Sequence, residues 1–471
     1  MKQLRAVIIG SGFGGLSCAL LLAREGYQVT VLERQQQPGG CLQSYRRGAF
    51  TFDTGMHYVG GLSEGQPLHQ LFGELGLLAL PWHRLDADGF DRVTIGPDTF
   101  AFAEGYDRFA ETLARRFPSE RQALHDYADL LSSLPPLQEI GETAAYTYLT
   151  NHFSDPLLVN VLAGTALKME LRRESLPLFH FAHGNSSFIQ SSWRLRGDGG
   201  QIADALMAGI QALGGEVRCH AEVEELTERD GRIVAARCSD GSRYEGDVFI
   251  SDIHPAQTFA LVRESSVLKK LFRRRINILE NTTGMFTVQL VLKAGALPYF
   301  NHNKYIYTQA NVWNEPHAGG HIDRVMVSAR VPEDSTNSVR QIDLLTPLPW
   351  QMVQPWEHTT VGHRGDDYNA LKNRLAAECI TLAETQVPGL RAAVERLYTS
   401  TPLTYRDYTL APCGSAYGLR KDCRSLLTTV LSPQTPVGNL LLTGQSLILH
   451  GLEGVAMTAK LTVSKIKKTA I

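Results

Sequence analysis

The chain has little of what usually betrays a function. Its seven cysteines stand apart at Cys18, Cys41, Cys219, Cys238, Cys379, Cys413 and Cys423, with no C-x-x-C pair among them. That excludes a dense disulfide framework and a zinc ribbon, and it fits reduced thiols in a cytosol. Charge of neither sign is in excess, with 46 Lys and Arg against 48 Asp and Glu. A nucleic-acid footprint is therefore not expected. No apolar run is long enough to span a bilayer. There is no internal repeat and no low-complexity linker. At 471 residues the chain is still too long for one ordinary core, so two domains are expected, interleaved in sequence.

What is present starts at once. "LRAVII" (4–9) is a short β-rich apolar run, "GSGFGG" follows, and "LSCALLLAREG" reads as a helix ending at Gly26. "YQVTVLE" is a second strand. The order is the opening βαβ unit of a dinucleotide-binding fold. The same stretch imitates a secretory signal, but Gly10, Gly12, Gly14, Gly15 and Gly26 suit a turn better than a signal helix. Gly10 permits the tight turn, Gly12 lets backbone approach a pyrophosphate, and Gly15 lets helix pack on strand. The helix start offers unpaired N–H groups to phosphates. Glu33 ends the second strand, where a carboxylate can accept hydrogen bonds from ribose hydroxyls.

Further on, residues 90–102 predict a hairpin around Gly96-Pro97-Asp98, and Tyr106 to about Phe188 is mainly helical, broken by prolines. Residues 216–252 read as short strands with turns at Asp230-Gly231 and Asp240-Gly241. Residues 282–349 alternate like antiparallel strands, and a helix follows at roughly 366–386. No second G-x-G-x-x-G follows a strand, so no dedicated NAD(P)H domain is expected and any reducing electrons must come from outside the chain.

"VLERxxxxGGxxxS" (31–44), with its second glycine pair Gly39-Gly40, resembles the flavin-binding opening of the amine oxidase and phytoene desaturase superfamily. "GNLLLTGQSLILHGLEGVAMTA" resembles the closing motif of that superfamily, a strand and then a helix whose start faces the flavin. The segments "FDTGMHYVGGLSEG", "TPLTYRDYT…GSAYGLRKD" and "LLLTGQSLILHG" are similar to the retinol saturase and carotenoid isomerase branch. The resemblance covers nearly the whole chain. It implies an α/β fold in which a Rossmann-like FAD-binding domain of glutathione reductase/amine oxidase type (1–89, 196–275 and 425–471) interleaves with an α+β substrate-binding domain containing an antiparallel sheet (90–195 and 276–424). It implies FAD, held by Gly10, Ser11, Gly12, Phe13, Gly14, Gly15, Glu33, Arg34, Gly39, Gly40, Cys41, Gly55, Met56, Val223, Gly444 and Gln445. Val223 would meet the adenine through its backbone. Gln445 departs from the aspartate that many relatives carry there.

The chemistry so implied is hydride exchange between flavin N5 and a carbon of a long, apolar, isoprenoid-like polyene, with a proton donor on the far side of the double bond. Saturation of a double bond is the leading expectation. Cis–trans isomerisation or desaturation is the alternative, and a lipid-binding relative without redox chemistry is another. The candidate proton donors are His57, Tyr58, His450 and Glu453. Three of them have a bland reading: a satisfied core histidine for His57, cavity wall for Tyr58, a helix cap for Glu453. Glu453 departs from the apolar residue the saturase branch tends to carry. His180 and His183 have the i, i+3 spacing of a helical metal pair, but no third ligand stands beside them and no metal is expected. Phe179, Phe181, Phe188 and Trp193 are core or tunnel. The expected location is cytoplasmic. Peripheral membrane contact stays compatible with the lysine-rich tail "KLTVSKIKK", which also reads as a solvated helix end.

Overall fold

The run RAVII forms the strand Arg5–Ile9, almost wholly buried as a central parallel strand must be. It lies in the middle of a five-stranded sheet in the order Glu216–Arg218, Gln28–Leu32, Arg5–Ile9, Val248–Ser251, Leu440–Leu442. Every pairing in it is parallel. Parallel neighbours need crossovers, so segments far apart in sequence meet here. In this computed structural model, residues 3–317, 320–333 and 337–469 are described.

The helices Phe13–Arg24, Gly200–Ala212 and Gly451–Thr469 share one apolar core with this sheet, through Leu16, Leu20, Ile202, Leu206, Ala459 and Val463. The first of them stops where the sequence predicts. Gly26 takes φ +86°, and the Gly26 and Tyr27 amides return to Ala23 and Leu22 carbonyls, which closes the helix end.

A seven-stranded sheet forms the second layer. Its order is Val394–Ser400, Gly284–Leu292, Gln341–Leu348, Arg324–Ala329, Asn303–Tyr307, Asp91–Ile95, Asp98–Phe102. All pairings are antiparallel except that between Asn303–Tyr307 and Asp91–Ile95. The early hairpin thus joins strands two hundred residues later, and alternation alone does not reveal it. Helices between Tyr106 and Gln190 pack on this sheet around Phe90, Phe102, Phe109 and Phe181. A small antiparallel sheet, Val223–Arg229, Arg232–Cys238 and Arg243–Glu245, flanks the parallel one. Among the described residues no helix is long and apolar enough to cross a membrane.

The helix Leu178–Gln190 is locked to the glycine-rich stretch after Phe52 by a backbone contact. Gly60 pairs with Ser192, and a Cβ on it would stand 2.3 Å from the Ser187 carbonyl carbon. Backbone cannot yield there as a flexible side chain would. Gly60→Ala should therefore lose about 1–3 kcal/mol and lower the thermal midpoint by a few degrees. Gly73→Ala, where the nearest atom is Leu78 Cδ1 at 3.5 Å, should leave the midpoint unchanged or raise it. Equal midpoints for the two variants would disprove the contact.

Candidate active site

Three turns that need glycine converge at the carboxyl ends of the parallel strands, where such sheets bind ligands. Gly10 has φ +90°, and a Cβ on Gly15 would fall 2.2 Å from the Gly10 carbonyl oxygen. Gly39 and Gly40 have φ +116° and +55°, and a Cβ on Gly40 would reach Gly12 Cα at 3.0 Å. Gly444 has φ +93° and lies against Gly14. Ser11 stitches the first two turns together. Its hydroxyl accepts from the Gly39 amide at 3.1 Å and donates to Glu33 Oε2, which also takes the Ser11 amide at 3.0 Å. Glu33 Oε1 accepts from the Gln35 amide at 2.8 Å. Oε2 thus carries two protein donors and Oε1 one, which leaves a lone pair on Oε1 for a ribose hydroxyl.

Asp252, which sequence reasoning missed, stands at the centre of these turns. Cβ atoms built on Gly12, Gly14 and Gly444 would lie 2.4–2.5 Å from its carboxylate oxygens. Burial pushes its carboxyl up to about 7, against the pull of the Gly15 amide. The cradle therefore carries less negative charge at neutral pH than its residues suggest. The helix Phe13–Arg24 begins without a side-chain cap, leaving N–H groups for an anion. The signal for Asp252 was its place, one residue past a predicted strand.

From these turns a cavity of about 690 Å³ runs toward the seven-stranded sheet. All the residues expected to touch a cofactor line it except Gly15, which packs behind the turn. Cys41 is among them, an exposed residue on the cavity wall. The Phe13 ring rests edge-on to Phe72. The four candidate proton donors line the same cavity. The turns, the acidic end of a strand and the long cavity together suit a dinucleotide with a flat ring system at its inner end.

The donors differ sharply. His57 Nδ1 stands 3.9 Å from Asp343 Oδ2 and makes no hydrogen bond. Burial pushes it down to about 4, with Arg330 and Arg194 opposing the help of Asp343, so the imidazole is neutral. Tyr58 donates to Asp91 Oδ2 at 2.8 Å, sits 2.6 Å from Tyr305 Oη, and packs on Phe188. His450 Nε2 is tied to the Lys168 carbonyl at 2.8 Å, and its ring lies on Tyr417. Glu453 is in the first turn of Gly451–Thr469. Its Oε1 is 3.9 Å from His183 Nε2, and among the described residues its buried Oε2 has no hydrogen-bond partner. Burial pushes this carboxyl up to about 7, outweighing the favourable helix end.

His180 and His183 both face the cavity, and His180 Nε2 bonds the Ile448 carbonyl at 2.9 Å. No cluster of metal-binding side chains occurs among the described residues. Of the four aromatics, Phe188 lines the cavity, while Phe181 is core. Sequence reasoning also passed over Lys168, whose ammonium reaches the cavity wall from a short 3-10 turn. A second cavity of about 350 Å³ shares Leu167, Met169, Met285 and Tyr417 with the first. Tyr417 Oη donates to the Leu167 carbonyl at this neck.

Residues 8–75 match the family described as NAD(P)-binding Rossmann-like domain. The chain is 25% identical to all-trans-retinol 13,14-reductase of Danio rerio, over 99% of this chain and 86% of that protein. It is 24% identical to chloroplastic prolycopene isomerase of Daucus carota, over 96% and 79%. It is 23% identical to the neurosporene-forming phytoene desaturase of Rhodobacter capsulatus, over 88% and 84%. Among solved structures, an oxidoreductase from Methanosarcina mazei superposes with a TM-score of 0.67 at 16% identity, covering 99% of this chain and all of that one. Wild-type putrescine oxidase superposes with a TM-score of 0.64 at 16% identity, covering 99% of each chain. These two likenesses show the fold alone.

If the glycine turns and Glu33 hold a dinucleotide, Glu33→Ala should lower the ratio of flavin to protein on purification at least several-fold. The visible absorbance spectrum measures it directly. Full flavin content in Glu33→Ala would remove the carboxylate from the site.

Proposed function

The chain is a homologue of the retinol saturases, prolycopene isomerases and phytoene desaturases, and on that footing we propose an FAD-dependent oxidoreductase that saturates one double bond of a long apolar conjugated polyene. The observation that carries the direction of the reaction is Glu453. Adding two hydrogens across a double bond needs a proton as well as a hydride, and isomerisation has no net need of one. Glu453 is a carboxylic acid on the cavity wall, uncharged below about pH 7, with Oε2 unpartnered and so free to give its proton.

The glycine turns, Glu33 and Val223 would hold the dinucleotide, and Gly444 and Gln445 its inner half. FAD, when bound, supplies hydride exchange at its N5. Glu453 holds the proton at Oε2, while His183 Nε2 lies 3.9 Å from Oε1, beyond hydrogen-bond distance. His57 is a neutral imidazole over the Asp343–Arg330 pair, better suited to shaping the wall than to donating. Tyr58 is wall, its hydroxyl spent on Asp91. Leu167, Met169, Met285 and Phe188 exclude water from the path of the chain. In this reading residues 1–89, 196–275 and 425–471 carry the cofactor, and 90–195 and 276–424 supply the substrate wall. The electrons come from an external donor. The polyene is delivered from a lipid phase by peripheral contact with a membrane.

Anaerobic mixing of the reduced protein with all-trans-polyenes should give products heavier by two hydrogens in mass spectrometry. Products of unchanged mass would replace saturation by isomerisation, and products lighter by two hydrogens from the oxidised protein, with none from the reduced one, would replace it by desaturation.

The acid's protonation sets a pH dependence. Glu453 is raised, so its proton is present below about 7 and lost above it. Single-turnover reduction of the polyene should be fastest on the acid side and fall about tenfold per pH unit above that point. Glu453→Gln should keep the flavin, slow the step roughly a hundredfold or more, and abolish the alkaline limb. His57→Phe should keep the limb. An unchanged pH profile in Glu453→Gln would move the proton donor elsewhere.

A further inference from the structure

Lys168 is a cation in an apolar wall. Its side chain is 11% exposed, and its ammonium lies 3.9 Å from the centre of the Phe188 ring and 5.6 Å from that of Tyr58. The carboxylate nearest to it is Asp91, with Nζ 3.5 Å from Oδ2, longer than an ordinary charge-assisted hydrogen bond. Asp91 also has two closer donors. Tyr58 Oη donates to Asp91 Oδ2 at 2.8 Å, and Asn303 Nδ2 donates to Oδ1 at 2.9 Å. Asn303 is held in turn by Arg194, 2.6 Å from its Oδ1.

An ammonium has three donors, and leaving them unmet in a buried wall is expensive. Among the described residues no oxygen lies within good hydrogen-bond distance of Nζ. Burial lowers this lysine to about 8, and Asp91 opposes that fall, so it remains a cation at neutral pH. Its face contact with Phe188 suits the charged form. The open donors border the cavity that Leu167, Met169 and Phe188 otherwise make apolar.

We infer that Lys168 receives an oxygen at one end of the substrate, so that the site prefers polyenes ending in a hydroxyl, carbonyl or carboxylate over hydrocarbon polyenes. This rests on the polyene reading above and narrows it to a substrate class. A hydrocarbon chain would bury the ammonium with only its long contact to Asp91. An oxygenated end meets it with a charge-assisted hydrogen bond, while the rest of the chain keeps its apolar contacts.

The test is equilibrium binding, which does not require turnover. The purified flavin-containing protein is titrated with all-trans-retinol, all-trans-retinoic acid and a hydrocarbon polyene of equal conjugation, following quenching of tryptophan fluorescence. The wild type should bind the two oxygenated chains roughly ten- to hundredfold more tightly than the hydrocarbon. Lys168→Met should erase that advantage and leave hydrocarbon affinity within about twofold. Lys168→Arg should keep most of it. Because Lys168→Met leaves Asp91 without a cation, the double variant Lys168→Met with Asp91→Asn serves where the single one folds poorly. Flavin content is measured throughout. A larger loss for the acid than for the alcohol assigns the contact to charge, and an equal loss assigns it to a neutral hydrogen bond; either supports the inference. Equal wild-type affinity for all three chains, or equal weakening of all three in Lys168→Met, overturns it. A wild type that shows the preference but adds no hydrogens would overturn the reaction and leave the inference standing.

Discussion

The rest of the site depends on the approach of two backbone turns to the Asp252 carboxyl. Gly12, Gly14 and Gly444 each have their missing Cβ about 2.5 Å from its oxygens, so no side chain can stand there. The turns come from the first strand-to-helix junction and from the last strand, segments more than four hundred residues apart. Their convergence sets the start of the closing helix, and with it Glu453, against the same cavity that the first turn opens. Displace the turns, and the acid at the inner end loses its relation to the dinucleotide cradle.

One physical cause then sorts the ionisable groups along the cavity. Burial disfavours charge whatever its sign. It drives His57 down to about 4, Glu453 up to about 7 and Lys168 down to about 8. The outcomes differ because the neighbours differ. His57 has two guanidiniums nearby that oppose its charge, and Lys168 has Asp91 to keep it charged. Glu453 has burial alone. At neutral pH the cavity thus holds a neutral base, an acid poised to lose its proton, and a cation. The same wall supplies an apolar path and two polar ends.

The strands and helices nearest the termini of the parallel sheet were legible because local signals agree there. "RAVII", the glycine turn and the helix stop at Gly26 each report the same junction. The antiparallel strands after Gly284 were legible from alternation. The parallel join of Asn303–Tyr307 to Asp91–Ile95 was not, because pairing partners two hundred residues apart leave no local mark. At the site, the glycines and Glu33 could be found by spacing. Asp252, His183 and Lys168 could not be ranked. Asp252 and Lys168 belong to no motif, and His183 reads as half of a helical metal pair without a third ligand.

The sequence by itself determined that the chain builds a dinucleotide cradle and that His57, Tyr58, His450 and Glu453 are polar residues in apolar surroundings. Those are statements about neighbours in the chain, and spacing carries them. Only the tertiary structure decided which of those residues are hydrogen-bonded and which are held uncharged by burial. Protonation depends on what lies across the cavity: Asp91 beside Tyr58, the Arg330–Asp343 pair beneath His57, and, among the described residues, no hydrogen-bond partner for Glu453 Oε2. Contacts of that kind are made between segments, and a linear sequence does not hold them.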